Sequence, residues 1–197
     1  MQLELLIGLA TFALVSTITP GPNNLMLMSS GANFGFKRTL PHMLGIGVGF
    51  SFMVMLVGVG LVGIFELFPA SYTVLKVLSI TYLLYLAFKI ATAGAPSAGK
   101  EKGKPITFLQ AAAFQWVNPK AWSMALSAVS VYAPSTNISS IVIVSLVFAM
   151  MNMPSTSVWT VLGKQMQRYL TSHKRLRIFN GVMGLLLVAS VVPVLFM

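Results

Sequence analysis

The sequence predicts an all-α integral membrane protein with six membrane-spanning helices, and three observations predict it. Hydrophobic residues make up 56% of the 197 residues and charged residues only 8%, well below the roughly 25% of an average soluble domain. The apolar residues fall in long runs, unlike the short alternating segments of an outer-membrane barrel. Six of these runs meet or approach the about 20 residues that a helix needs to cross the hydrocarbon core.

The six predicted spans follow one another along a single domain, 1–197. They cover residues 3–34, 42–65, 72–92, 108–132, 138–162 and 178–197. Prolines interrupt two of them, Pro20 in the first and Pro119 in the fourth. The first twenty residues contain Glu4 and no basic residue, so they lack the basic region of a cleaved signal peptide. We therefore expect the first helix to remain in the mature protein.

The basic residues predict the orientation of these spans. Eleven of the thirteen lie at or between spans one and two, three and four, or five and six: Lys37, Arg38, Lys89, Lys100, Lys102, Lys104, Lys164, Arg168, Lys174, Arg175 and Arg177. Basic residues collect in cytoplasmic loops, so both termini are expected outside the cell. Orientation is sufficient to explain the net charge of +10, and no nucleic-acid partner is predicted.

A hydrophilic linker, residues 93–106, divides the chain into two sets of three spans, 1–92 and 107–197. Its Gly, Pro, Ser and Lys content is typical of a flexible segment. An odd number of crossings per half makes the halves enter the membrane in opposite directions, so the chain is expected to be a 3+3 inverted repeat. The first helix of each half is broken by proline, and paired interruptions of this kind indicate a transport site.

The stretch TITPGPNN, residues 17–24, contains the first interruption. Pro20 and Pro22 remove two backbone donors, and Gly21 between them permits unusual dihedral angles. Irregular backbone at membrane depth is tolerated where it packs against protein or lines a wet cavity. Asn23 and Asn24 follow the break, and their amides either satisfy the broken helix, face a ligand, or do both.

The second interruption lies in FQWVNPKAW, residues 114–122, where Asn118 precedes Pro119. Lys120 lies about 20 Å along the fourth helix at 1.5 Å per residue. A cation at that depth normally marks a ligand site or pathway, and the alternative is that its long stem snorkels to the outer interface. Trp116 and Trp122 flank it and are expected to anchor or pack the helix.

Asn152 and Pro154 predict a third interruption in the fifth span, which Ser155, Thr156 and Ser157 are placed to repair. Glycines in the second span indicate close helix packing; they are Gly45, Gly47, Gly49, Gly58, Gly60 and Gly63. His42 and His173 are expected at a helix end and in a basic loop, and neither is expected to be a buried ligand.

The residue types that are missing exclude several functions. The chain contains no Cys and no Asp, and its three Glu lie at or outside the predicted membrane boundaries. Metal transport and intramembrane hydrolysis both need residue sets that are not present, and no cofactor is predicted. Proton coupling, if it occurs, must use Lys120, a histidine or the substrate's own titration.

Four motifs together resemble the LysE/RhtB superfamily of bacterial amino-acid exporters. They are TPGPNN in the first helix, GFKR at residues 35–38, YLLYLAFKIAT at residues 82–92 and FQWVNPKAW in the fourth helix. Their order and spacing are similar to those of the family over essentially the whole chain. The TPGPNN and FQWVN stretches most resemble the cysteine/O-acetylserine exporter subgroup.

The resemblance implies a secondary active transporter in the bacterial inner membrane, and not an enzyme. It would export small neutral amino acids or derivatives, of the cysteine/O-acetylserine or threonine/homoserine type, using the proton gradient. The alternative function is a passive channel for small polar solutes. The protein contacts membrane lipid, and a homodimer is one of the oligomeric states considered. The predicted substrate-binding residues are Thr19, Pro20, Gly21, Pro22, Asn23, Asn24, Gln115, Asn118, Pro119, Lys120 and Asn152.

Overall fold

Seven helices form the described part of the chain in a computed structural model, which describes residues 2–61, 63, 67–68, 70–93, 104–133, 137–190 and 192. The helices are α1 Leu3–Ile18, α2 Pro22–Gly58, α3 Ala70–Ala91, α4 Phe108–Val117, α5 Pro119–Tyr132, α6 Ile138–Met166 and α7 His173–Ala189. Most of the predicted linker, at residues 94–103, lies outside the described residues.

Three helices are individually long and apolar enough to cross a membrane: α2, α3 and α6. Helix α1 is apolar but shorter, and α4 and α5 are two short helices on either side of Asn118. Large apolar side chains such as Phe88, Leu109 and Met150 are 66–75% exposed. Such side chains are suited to lipid contact and confirm the predicted class of all-helical membrane protein.

The predicted loop between the first two spans is replaced by a turn at Gly35. The chain has a φ of 76° there, and helical structure continues directly on both sides. The second span was expected to begin at His42, but helical structure resumes just after Gly35. Glycine adopts this left-handed conformation without the steric cost that a Cβ imposes, so one residue is sufficient to redirect the chain.

Contacts along α6 show that α2 reverses direction at this turn. Before Gly35, the chain advances along α6, since Phe12 contacts Phe148 and a Cβ on Gly31 would meet Thr160. After Gly35, it returns, since Phe50 contacts Phe148. Helix α2 is therefore a helical hairpin, and it packs more extensively against α6 than against any other helix.

Two clusters of buried apolar side chains fill the interior. One joins the first part of α2 to α3, α4 and α7, and the other joins α1 and the last part of α2 to α5 and α6. Glycines allow the helices in these clusters to pack closely. A Cβ on Gly49 would lie 2.6 Å from Ala112 Cα in α4, and a Cβ on Gly58 would overlap the Ile141 side chain of α6. Gly45 likewise packs on α4.

The packing role predicted for the second-span glycines therefore holds for Gly45, Gly49 and Gly58 but not for the whole set. A Cβ on Gly47 would make only ordinary contact with Asn152, and Gly60 and Gly63 would meet nothing within 4 Å. The last two lie beyond the end of α2, and Gly60 has a φ of 102°. Helix α2 thus ends earlier than the sequence predicted.

Candidate functional site

The first helix break removes helical partners from the carbonyls at the end of α1. Pro20 and Pro22 have no N–H, so Ser16 and Ile18 lose the donors that an unbroken helix would give them four residues later. The structure supplies replacements: Thr19 Oγ1 donates to the Ser16 carbonyl at 2.9 Å, and Trp159 Nε1 of α6 donates to the Ile18 carbonyl at 3.0 Å.

Asn24 repairs two further carbonyls of the same break. Its Nδ2 donates to the carbonyl oxygens of Thr17 at 2.9 Å and Thr19 at 2.7 Å. The side chain is buried, where unpaired backbone carbonyls would be costly. Of the two roles predicted for Asn24, the structure shows backbone repair, and Asn24 also lines the central pocket described below.

Lys120 joins the second break to the first. Its Nζ donates to the Thr19 carbonyl at 2.6 Å, to Thr19 Oγ1 at 2.8 Å and to the Pro20 carbonyl at 3.4 Å. The carbonyl end of a helix carries partial negative charge, so the ammonium is electrostatically suited to the end of α1. In this structure Lys120 is therefore held at the break and does not snorkel to an interface.

The second break is organised by Asn118, which ends α4 and caps α5. Its Oδ1 accepts the Lys120 backbone N–H at 3.2 Å, the usual interaction of an N-cap asparagine. Trp122 Nε1 donates to the Trp116 carbonyl at 2.8 Å, which is the carbonyl that would otherwise pair with the Lys120 N–H. Trp122 was expected to anchor or pack the helix, and it also bridges the break.

A reciprocal amide pair connects the two breaks a second time. Asn23 Nδ2 donates to Gln115 Oε1 at 2.9 Å, and Gln115 Nε2 donates back to Asn23 Oδ1 at 3.1 Å. Gln115 is fully buried and also donates to the Ala111 carbonyl. The start of α2 is thereby fixed against the end of α4.

A small polar pocket lies between the breaks, where the two apolar clusters meet. We call it the central pocket; its lining residues are Thr17, Gly21, Asn23, Asn24, Ile46, Phe50, Asn118, Lys120, Met124, Asn152 and Thr156. Its volume of about 20 Å³ is enough for one water molecule. The site is thus nearly closed in this conformation.

Several polar groups at the central pocket have no partner within the described residues. Asn118 Oδ1 and Asn152 Nδ2 are engaged, which leaves Asn118 Nδ2 as a donor and Asn152 Oδ1 as an acceptor. Helix α2 has no side-chain cap, and its first N–H to be bonded is that of Leu25. The free N–H groups of Asn23 and Asn24 therefore form a positively polarised helix end at the pocket.

The third predicted interruption is not present, because α6 continues through Pro154. Asn152 Nδ2 donates to the Phe148 carbonyl at 2.9 Å, and Thr156 Oγ1 donates to the Asn152 carbonyl at 2.8 Å. Neither bond reaches the Met150 carbonyl, which loses its helical donor at Pro154; the helix continues although this one backbone hydrogen bond is lost. The same arrangement directs both residues toward the central pocket.

The structure brings the predicted binding residues together. Six of them line the central pocket: Gly21, Asn23, Asn24, Asn118, Lys120 and Asn152. Thr19 and Pro20 hold the Lys120 ammonium, Gln115 holds Asn23, and Pro22 and Pro119 begin α2 and α5. Gly21 has an extended φ of −175°, so its small size matters more than its flexibility: a Cβ would lie 2.9 Å from Lys120 Cδ.

Sequence reasoning missed several residues at this site. Thr17, Ile46, Phe50, Met124 and Thr156 also line the central pocket, and Trp159 caps α1. Apolar lining residues carry no local signal in a membrane helix, whereas Thr17 and Thr156 adjoin proline motifs and could have been found. His42 was expected at a helix end, but it is fully buried within α2.

The chain is an all-helical membrane protein with two discontinuous helices. A buried amide and a lysine connect the two breaks beside a polar pocket, and these are the features of a membrane transporter. Comparison with known proteins defines it further. The sequence profile of the LysE type translocators matches residues 14–196. The chain belongs to the LysE type translocator family; it is a multi-pass membrane transporter and not an enzyme.

Curated relatives share its full length. The chain is 32% identical to a cysteine/O-acetylserine efflux protein of Escherichia coli strain K12 and to one of Shigella sonnei strain Ss046, over 199 residues and all of both chains. A protein of the same name from Shigella flexneri serotype 5b is 32% identical over 189 residues, which cover 94% of this chain and 95% of the relative. No solved structure matches the chain.

Proposed function

We propose that this transporter exports small neutral amino acids or derivatives, of the cysteine/O-acetylserine type, across the bacterial inner membrane by proton-driven alternating access. The observation that carries this proposal is the central pocket between two helix breaks, connected by Lys120 and Thr19 at 2.6 Å. Discontinuous helices of this kind place helix ends and free backbone groups at the substrate site in many transporters. The efflux relatives support the direction and the substrate class.

The substrate carboxylate is assigned to the start of α2. The N–H groups of Asn23 and Asn24 are free there, and a helix N-terminus favours an anion. The Lys120 ammonium lies next to Gly21 and adds positive charge. The substrate ammonium is assigned to the free Asn152 Oδ1, and Asn118 Nδ2 is available to a hydroxyl, ester or other polar side-chain group.

The pocket composition supports neutral substrates over cationic ones. No carboxylate is among the lining residues, so a second positive charge, as in lysine or arginine, would have no partner. Burying an unpaired charge in such an environment is strongly unfavourable. Small substrates are favoured because Phe50, Ile46 and Met124 limit the apolar side of the pocket.

A six-span inverted repeat is consistent with the helix packing. If the two halves are related by an inverted repeat, α1 corresponds to α4 and α3 corresponds to α7. The part of α2 before Gly35 then corresponds to α5, and the part after Gly35 corresponds to α6. Under this correspondence, the contact of α1 with α6 corresponds to that of α4 with α2, and the α2 with α6 and α3 with α7 contacts correspond to themselves. Rocking of halves 1–92 and 107–197 about the central pocket would alternate access.

The proposed orientation places both termini outside the cell, because the basic residues flank the Gly35 turn, the 93–106 linker and the connection between α6 and α7. In this orientation the free end of α2 faces a pocket near the middle of the membrane. A substrate that enters from the cytoplasm would then pass the basic residues beside the Gly35 turn, the 93–106 linker and the α6–α7 connection.

Transport assays in proteoliposomes test the proposal. Saturable O-acetylserine or cysteine flux is expected from the wild-type protein. Replacement of Lys120 by Ala should reduce it about tenfold or more, because hydrogen bonds to charged groups contribute about 1.5–3 kcal/mol, and replacement of Asn118 by Ala should reduce it by about twofold to tenfold, because a neutral hydrogen bond contributes about 0.5–1.5 kcal/mol. Lys164→Ala, at an exposed basic position on α6, is the matched control. Unchanged flux in both site variants at equal protein content would refute the site, and non-saturable flux would favour the channel.

A further inference from the structure

His42 is a buried polar side chain that the site described above does not use. It is fully buried, and neither Nδ1 nor Nε2 has a hydrogen-bond partner. Buried polar atoms are normally paired, and an exception needs a structural or functional reason. Histidine is also the side chain whose charge changes most readily near neutral pH.

The position of His42 relates it directly to the central pocket. Residues four apart lie on the same face of a helix, about 6 Å apart along its axis, so His42, Ile46 and Phe50 form one stripe of α2. Ile46 and Phe50 line the central pocket. His42 therefore lies one helical turn beyond that pocket, toward the turn at Gly35.

A second cavity lies between the central pocket and the Gly35 turn, and we call it the basic cavity. Its lining residues are Met26, Ser29, Ser30, Phe34, Lys89, Ile90, Ala93, Lys104 and Ile106. The first arm of the α2 hairpin runs from the central pocket, at Asn23 and Asn24, to this cavity, at Ser29 and Ser30. Ser30 Oγ and Thr39 Oγ1 lie 3.0 Å apart across the hairpin, which places the segment before His42 beside the basic cavity.

Apart from Glu4 of α1, the charged side chains on the described elements packed against α2 are basic. On the described elements packed against α2, the charged or titratable side chains besides Glu4 of α1 are Tyr72, Lys76, Tyr82, Tyr85 and Lys89 of α3, Lys104 before α4, Lys120 and Tyr132 of α5, Lys164 of α6, and His173, Lys174, Arg175 and Arg177 of α7. Lys89 lines the basic cavity. It donates to Gln110 Oε1 at 3.1 Å, so it is held in place by a neutral partner.

We propose that His42 carries the coupled proton between the basic cavity and the central pocket. The neutral ring fits the closed conformation, whereas an imidazolium there would be a buried charge without a hydrogen-bond partner among the described residues. The protonated ring favours a conformation in which it meets water in one of the two cavities. A group whose two protonation states favour different conformations links proton binding to the conformational equilibrium.

The cycle is balanced for one proton. An imidazole nitrogen accepts one proton from water on the outer side when the pocket opens outward, and releases the same proton to water on the cytoplasmic side after the transporter changes conformation. No covalent bond is made, and the ring returns to its neutral form. This inference rests on the proposed exporter function, since it assigns the coupling group for that transport.

Uncoupling in proteoliposomes tests this assignment. A gradient of one pH unit supports about tenfold substrate accumulation for one proton per substrate, and wild-type protein should approach this with labelled O-acetylserine. His42→Gln should lose the pH-driven accumulation but retain substrate counterflow within about twofold, because exchange needs no net proton transfer. The matched control is His173→Gln, at the exposed start of α7, which should behave as wild type.

Each outcome decides one of the two proposals. Retained pH-driven accumulation in His42→Gln contradicts the role of His42. Loss of counterflow in both His42→Gln and His42→Asn, with an unchanged elution profile and melting temperature, also contradicts it, because the residue is then needed for substrate movement itself. If the wild-type protein shows no saturable counterflow, the proposed function fails, irrespective of His42.

Discussion

The Lys120 ammonium donates a 2.6 Å hydrogen bond to the carbonyl oxygen of Thr19, 101 residues earlier in the chain. This contact joins the carbonyl end of α1 to the start of α5. The two broken helices are therefore complementary, because α1 ends in carbonyls that lack helical N–H donors and Lys120 of α5 supplies a cationic donor.

Removal of the Lys120 charge is expected to separate these two helix ends. Lys120→Met keeps the apolar stem but removes the donor of the Pro20 carbonyl and leaves the Thr19 carbonyl with Asn24 Nδ2 alone, and we expect it to lower the free energy of unfolding by about 1–3 kcal/mol. Substrate binding, measured by scintillation proximity on purified protein, should be lost. Lys120→Arg should retain part of the stability, and equal stability of Lys120→Met and wild type would contradict the capping role.

Gly21→Ala tests whether the glycine provides space for Lys120. A Cβ at residue 21 would lie 2.9 Å from Lys120 Cδ and 3.2 Å from Nζ, so the flexible lysine must move from its carbonyl partners. We expect reduced transport with an intact fold. Adding Gly21→Ala to Lys120→Ala, which removes the Cδ that the new Cβ would meet, should lower the melting temperature little further, because the two changes act on the same contact.

An additive loss of thermal stability in that double variant would show that the role of Gly21 is not to provide space for Lys120. Gly181→Ala is the control, since a Cβ at residue 181 would meet nothing within 4 Å.

The Asn23 and Gln115 pair is expected to couple the two halves energetically. A double-mutant cycle with Asn23→Ala and Gln115→Ala, measured by reversible unfolding in bicelles, should give an interaction energy between about 0.6 kcal/mol, the mean for interhelical hydrogen bonds in membranes, and their maximum of about 1.7 kcal/mol, because the pair is reciprocal. A coupling energy indistinguishable from zero would mean that the reciprocal bonds do not stabilise the closed pocket. Asn23→Ala alone should also weaken substrate binding.

The contact between α2 and α6 depends on two glycines. A Cβ on Gly163 would overlap the Met28 carbonyl, and one on Gly31 would overlap that of Thr160. Because backbone cannot move away as a side chain can, either alanine substitution should cost about 1–3 kcal/mol of stability. Thermal unfolding should show this loss, with Gly63→Ala unchanged as the control. An unchanged melting temperature for Gly163→Ala would contradict this close helix approach.

The absence of cysteine in the chain makes the proposed orientation directly testable. Cysteine introduced at Gln2 should react with an impermeant maleimide in intact cells, whereas cysteine at Lys104 should react only after the cells are opened. Both positions are exposed. Labelling of Lys104→Cys from outside would reverse the assignment of both termini, and Lys164→Cys provides an independent cytoplasmic position.

The sequence was most informative where it departed from an ordinary apolar helix. Proline removes a backbone donor wherever it occurs, so the breaks near Pro20 and Pro119 could be predicted from composition and position alone. The long apolar runs likewise predicted the helices, and the bounds of α3, α4, α5 and α6 lie close to those expected. Pro154 was misjudged because a single proline removes only one backbone hydrogen bond, and α6 continues through it.

What only the tertiary structure decided is which groups meet. The reversal at Gly35 depends on a single φ value, and the burial of His42 depends on helices distant in sequence. Trp159 and Lys120 satisfy carbonyls more than 100 residues away. The sequence by itself determined where backbone hydrogen bonds are missing, since that is a local property of proline. The partners that replace them come from packing, because a free carbonyl in a membrane can be satisfied by any donor that the fold brings close.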